Sequence, residues 1–128
     1  GFKHWSALTR LVQSDGVSLG ARAHRLHPER CGGSLVWQLN DCSPMASWSS
    51  VDAGGRWKPL HYALRDAFAP AMIDVWPLDD KRLELRGVAP DSPGLLRLDV
   101  VNLEGDTVFS HAMDWPLFQI LQFLQDLH

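Results

Sequence analysis

Gly32-Gly33-Ser34-Leu35-Val36-Trp37-Gln38-Leu39-Asn40-Asp41 is the stretch on which the fold turns. Its apolar centre, residues 35–39, is short, with glycines before it and Asn40-Asp41 after it, the profile of a buried strand. The loop at 42–55 is rich in Ser, Pro, Asp and Gly, carries Trp48 and closes on Gly54-Gly55. Long loops after strands are common places for sites. Residues 58–68 then read as a helix. Pro59 suits its first turn, and Leu60, Leu64 and Phe68 share one face with Ala63 and Ala67 beside them. Pro70 closes it.

Before this stretch, Leu8, Leu11 and Val12 recur at helical spacing, and residues 17–26 form a second helical run that stops before Pro28, as helices tend to. With Asp15-Gly16 between them, the expectation is two short helices or one interrupted helix. Helix, strand, long loop, helix is the order of the last units of a (β/α)8 barrel. After Pro70 the pattern changes. Residues 72–76, 82–86, 95–102 and 107–113 read as strands, several alternating apolar and polar (Leu83, Leu85; Leu96, Leu98, Val100). Polar turns fall at Asp79-Asp80, at 90–94 and at Glu104-Gly105-Asp106. This is the pattern of an antiparallel, immunoglobulin-like sandwich. The expected fold class is therefore α+β: residues 1–69 as the end of a barrel and 70–128 as a partial β-sandwich domain. The last fifteen residues read as a helix capped by Asp114, with Pro116 in its first turn and a stripe of Leu117, Ile120, Leu121, Leu124 and Leu127.

Composition narrows the function classes. The 128 residues are 45% apolar, enough for a core, and carry six tryptophans. Tryptophan fills cores and interfaces or stacks on flat ligands. The net charge of −3, with both signs interspersed, argues against nucleic-acid binding. No apolar run approaches the ~20 residues of a membrane span, and nothing in the sequence assigns a compartment. Cys31 and Cys42 read as reduced thiols. No metal-ligand spacing is present, His24 and His27 alone being too few, and no cofactor is implied. The chain begins at Gly1, so functional residues are expected to lie before it.

Three blocks carry a resemblance. Gly32 to Cys42 contains WQLND, Ser47 to Asp52 reads SWSSVD, and Gly55 to Ala63 reads GRWKPLHYA, followed by Phe68-Ala69-Pro70. In order and spacing they resemble the eighth-strand region of β-mannosidases of glycoside hydrolase family 2. Members of that family are retaining exo-glycosidases that release terminal β-linked mannose, using two glutamates on a (β/α)8 barrel. Retention needs two carboxyl groups about 5 Å apart, one protonated and one attacking. This chain has three glutamates, Glu29, Glu84 and Glu104, and none stands in the family's catalytic context. No catalytic residue is therefore assigned, and both catalytic positions are expected before Gly1.

The resemblance implies that the chain contributes the floor of the sugar pocket. Trp37 matches the family tryptophan whose indole packs against the apolar face of a pyranose. Asn40 and Asp41 sit at the strand's mouth and either bond sugar hydroxyls or hold the loop, the latter preferred because both are ordinary turn formers. Trp48 borders the pocket or anchors its loop, and Asp52 reads as a turn cap. The family commonly has a tryptophan at Ser43 and aromatics at Ala53 and Gly54, so this chain has less aromatic bulk near the rim. The implied partner is a β-mannoside, bound together with the rest of such a protein. Alternatives are a non-catalytic carbohydrate-binding or interaction module using Trp37 and Trp48, or an inactive remnant. A lone barrel strand exposes hydrogen-bonding edges, so self-association through them is expected.

Overall fold

The computed structural model describes residues 1–77, 79, 82–88, 94–115 and 121–124. They divide into two units, Gly1–Met72 and Ile73–His128. Helix α1 (Phe2–Leu26) and helix α2 (Pro59–Ala67) pack together in the first unit. In the second, β1 (Met72–Pro77), β2 (Arg82–Val88) and β5 (Leu121–Leu124) form one sheet in the order β1-β2-β5, while β3 (Gly94–Val101) and β4 (Thr107–Trp115) form a hairpin. The coarse expectation of an α+β chain with antiparallel strand pairs holds.

Helix α1 is one continuous helix and not two. A glycine inside a helix costs about 1 kcal/mol relative to alanine, too little to stop propagation where no proline intervenes. The helix ends at Leu26, with the His27 N–H bonded to the His24 carbonyl ahead of Pro28. It buries Ser14, Ala21 and Leu26. Helix α2 starts at Pro59, whose missing N–H costs nothing in the first turn, and buries Leu60 and Ala67. The Arg25 guanidinium donates to the Ala67 carbonyl, satisfying one of the acceptors that a helix end leaves open. No helix among the described residues is long and apolar enough to cross a membrane.

Residues 35–39 do not form the buried strand expected of them. They lie outside any strand, with bends at Trp37 and Leu39, and Leu35 is fully exposed, at 104%. Cross-chain backbone bonding starts only at Gln38. Its carbonyl and that of Leu39 accept from the Ser50 N–H, and the Val51 N–H also donates to Leu39. An apolar run becomes a buried strand only where neighbours cover both its edges and its faces. Among the described residues nothing pairs with 35–37.

In the second unit the expected strands form, three with slightly longer bounds and β3 shifted by one residue. The β3–β4 register runs from Gly94↔Trp115 to Val101↔Thr107, with an irregularity at Val100/Val101. The turn between them is closed by Asn102, whose side-chain oxygen accepts from the Asp106 N–H at 2.8 Å. Gly105 takes φ +93°, a region that favours glycine. The expected turn at 90–94 lies outside the described residues up to Gly94. The expected C-terminal helix is corrected. Asp114 pairs with Leu95 in β4 instead of capping a helix, and Leu121–Leu124 is a strand antiparallel to β2, from Leu85↔Leu121 to Arg82↔Leu124. Residues 116–120 and 125–128 lie outside the described set. A helix of about fifteen residues is marginal alone, and the Leu121-Gln122-Phe123 alternation also has the two-residue period of a strand. Pairing along β2 supplies backbone hydrogen bonds to a segment able to take either form.

Candidate functional site

The polar centre of the first unit is Lys58, the residue before α2. Its backbone is extended, and its N–H donates to the Ser50 carbonyl at 2.9 Å. Its side chain is buried, and its ammonium reaches Asp41 Oδ2 at 2.9 Å, Ser49 Oγ at 2.7 Å and Ser47 Oγ at 3.3 Å. An ammonium has three protons to place, and three acceptors receive them. The Ser47 hydroxyl donates in turn to Asp41 Oδ1 and accepts from the Ser49 N–H. The Ser49 hydroxyl donates to the Val51 carbonyl at 2.9 Å. Burying two charges is costly unless pairing and hydrogen bonding are complete, and here both are. The Ser47 hydroxyl, then Lys58, hold the Asp41 carboxyl below its usual range, outweighing the opposing effect of burial.

This cluster organises the loop around it. Asn40 and Val51 form a parallel bridge, and Val51 and Trp57 an antiparallel one, so the chain doubles back twice within twenty residues. Ser50 is buried. Its hydroxyl donates to the Leu39 carbonyl at 2.9 Å and contacts His61 Nδ1 at 3.0 Å. With the serine proton committed to the carbonyl, the imidazole donates from Nδ1. Asp52 closes the next turn by accepting from the Gly54 and Arg56 N–H groups at 2.9 and 3.0 Å and from Arg56 Nε at 2.7 Å. The Arg56 N–H is the main cause of the lowered Asp52 pKa. Asp52 is thus the turn cap that its place in the sequence suggests.

The four residues singled out by sequence lie differently. Trp37 is 75% exposed and Trp48 62% exposed. The Trp48 carbonyl accepts from Gln13 Nε2 of α1 at 2.7 Å, tying the loop to that helix. The peptide bond from Trp37 to Gln38 is cis. Asn40 is exposed, and its amide donates to the carbonyl of Asp41. Asp41 is only 4% exposed, with both oxygens engaged. Lys58, Ser47, Ser49 and His61 received no role from the sequence. A signal was present in the Ser-Trp-Ser alternation at 47–49 and in a lysine set between Trp57 and Pro59-Leu60, but neither specifies a partner.

Two open cavities flank the cluster. One, of about 500 Å³, runs between residues 34–39 and α2 and is lined by Leu35, Leu39, Ser50, Trp57, His61 and Phe68 among others. The other, of about 470 Å³, is bordered by Arg10, Asp41, Cys42, Asp52, Arg56 and Lys58 among others. Among the described residues no three His, Cys, Asp or Glu side chains gather as a metal site, and both cysteines are free thiols. Glu29 is held by His27 and Arg30, and Glu84 by Arg86 at 2.8 Å.

Comparison with known proteins places this arrangement. The chain is 34% identical over 119 residues to β-mannosidase A of Neosartorya fischeri, covering 87% of this chain. It is a homologue of the β-mannosidases. The β-mannosidase A of Aspergillus oryzae is 40% identical over 75 residues, or 56% of this chain. The chain spans 13% and 8% of the lengths of these two β-mannosidases. In fold it matches the structure of a β-D-mannosidase from Dictyoglomus thermophilum, with a TM-score of 0.72, 24% identity and coverage of 93% of this chain and 16% of that one. No family model matches the chain. The resemblance carried by the WQLND, SWSSVD and GRWK blocks agrees with these relatives and is in keeping with glycoside hydrolase family 2.

Proposed function

We propose that this chain acts as a segment of a retaining exo-β-mannosidase, one that removes terminal β-linked mannose from oligosaccharides or glycoconjugates. In this reading α1, residues 35–39 and α2 belong to the closing units of a (β/α)8 barrel, where 35–39 becomes a strand once barrel neighbours from outside these 128 residues pair with it, and the second unit begins a β-sandwich domain. Trp37 is the platform for the sugar ring, Trp48 borders the pocket, and Asn40 is placed to bond a hydroxyl. Asp41 supports from below, since both its oxygens are already engaged. The acid/base and nucleophile come from outside these 128 residues.

The observation that carries the reading is the Trp37 indole, 75% exposed within the WQLND block. An exposed indole offers a flat apolar face suited to the C–H face of a pyranose. The test is a chimera in which this chain replaces the aligned segment of the Neosartorya fischeri protein. Hydrolysis of an aryl β-mannoside by a folded chimera, and its loss on Trp37→Ala, is the expected result. A folded chimera in which Trp37→Ala leaves both KM and kcat unchanged would overturn it. Exposure of both Trp37 and Trp48 also favours a second reading, a carbohydrate-binding module without chemistry. Saturable mannose binding by the chain alone, beside an inactive folded chimera, selects that reading.

A further inference from the structure

The side chains around Lys58 come from three separate points of the chain. Asp41 ends the segment that carries Trp37. Ser47 and Ser49 flank Trp48 on both sides. Lys58 begins α2. The hydroxyls of Ser47 and Ser49 both turn inward to the ammonium, at 3.3 and 2.7 Å. Trp48, which stands between these two inward-held serines, is 62% exposed. On the other side of the loop, Gln13 holds the Trp48 carbonyl at 2.7 Å.

We infer that Lys58, through Asp41, Ser47 and Ser49, is a positioning residue that presents Trp48 outward and locks its loop to the segment bearing Trp37. Its relevance to sugar recognition rests on the reading given under Proposed function. A hydrophobic contact of the same size would bury as much surface, but it would not specify which face of the loop turns inward. A buried, fully bonded ammonium accepts one arrangement of its partners. Orientation is the property that buried ionic groups can supply beyond stability.

Two readouts test this in the full chain. In chain labelled with fluorotryptophan, the Trp48 fluorine signal is identified by its loss in Trp48→Phe. Lys58→Met is expected to shift or broaden that signal while leaving the Trp76 signal in place, and Lys58→Arg to restore it. Ser49→Ala, which removes one acceptor and keeps the ion pair, is expected to move the signal in the same direction by less. It stands in for Lys58→Met should that variant not fold. In the chimera described under Proposed function, Lys58→Met should raise the KM for an aryl β-mannoside about tenfold, with Lys58→Arg recovering most of the loss. A Trp48 signal unmoved in every folded variant overturns the inference. If the folded chimera described under Proposed function hydrolyses no aryl β-mannoside, the sugar reading fails, while the fluorine signals still decide whether Lys58 positions the loop.

Discussion

Leu60→Ala and Leu35→Ala make the same chemical change at the two extremes of exposure in the first unit. Leu60 is 1% exposed, and Leu35 is 104% exposed. Truncating a buried leucine costs about 2–5 kcal/mol, because transfer energy is lost and a cavity remains. Few large apolar side chains are buried beside Leu60, so little is available to collapse into the space. The upper half of that range is the expectation. A unit of 72 residues at roughly 0.05–0.15 kcal/mol per residue has about 4–11 kcal/mol in total. Leu60→Ala therefore removes a large fraction of it. Leu35→Ala removes a side chain already in water and should stay within about 0.5 kcal/mol. The assay is urea unfolding followed by far-UV circular dichroism, which reports α1 and α2, repeated at several protein concentrations. Equal destabilisation by the two variants would refute the exposure of residues 35–39. If that equality appeared only at high concentration, a second copy would be covering the segment.

Acid should weaken the first unit through Asp41. Its folded pKa is lowered by Ser47 and Lys58, so its contribution is present above the ordinary carboxylate range and is lost as pH falls through the lowered value. Asp41→Asn should flatten the acid limb of a plot of urea midpoint against pH, and an unchanged limb would remove Asp41 from that role. In the second unit, Gly105→Ala forces a side chain into φ +93° and should cost about 1 kcal/mol. Thermal unfolding followed by strand-sensitive infrared absorption measures this, and no change would mean the turn relaxes.

Much of the local structure was legible in the sequence because it depends on local rules. Pro59 and Pro70 bracket α2, Pro28 follows the end of α1, and alternating residues mark β2 and β3. The failures share a physical cause. Gly16 looked like a joint because its conformational cost is visible in sequence, whereas the continuity of the helix on both sides outweighs it. Leu121–Leu124 looked helical because a leucine stripe carries two periods, and only the presence of β2 as a pairing partner selects one. The candidate site divides in the same way. Trp37 and Trp48 stand out through the blocks they sit in, and Asp52 through turn chemistry. Lys58 was not found because its meaning lies in contacts with Asp41, Ser47 and Ser49, between nine and seventeen residues away.

The pattern at 35–39 separates two things that a sequence encodes. Residues Leu35, Val36, Trp37 and Leu39 specify an environment, apolar on both sides, and a strand is the conformation that such an environment stabilises. The described residues do not provide that environment, so the segment stays outside any strand and leaves Leu35, Trp37 and Leu39 exposed. What holds it is the polar part of the same block. Leu39 accepts from Ser50 and Val51, and Asp41 is clamped by Lys58 and Ser47. Hydrophobic burial is non-directional and needs a large partner surface. A buried ion pair with complete hydrogen bonding needs only a few residues in one arrangement. The second kind of interaction can therefore preserve the geometry between Asp41 and the Trp48 loop where the first is unmet. This is why the Asp41–Lys58 contact, more than the apolar run that drew attention to the stretch, explains how the site keeps its shape.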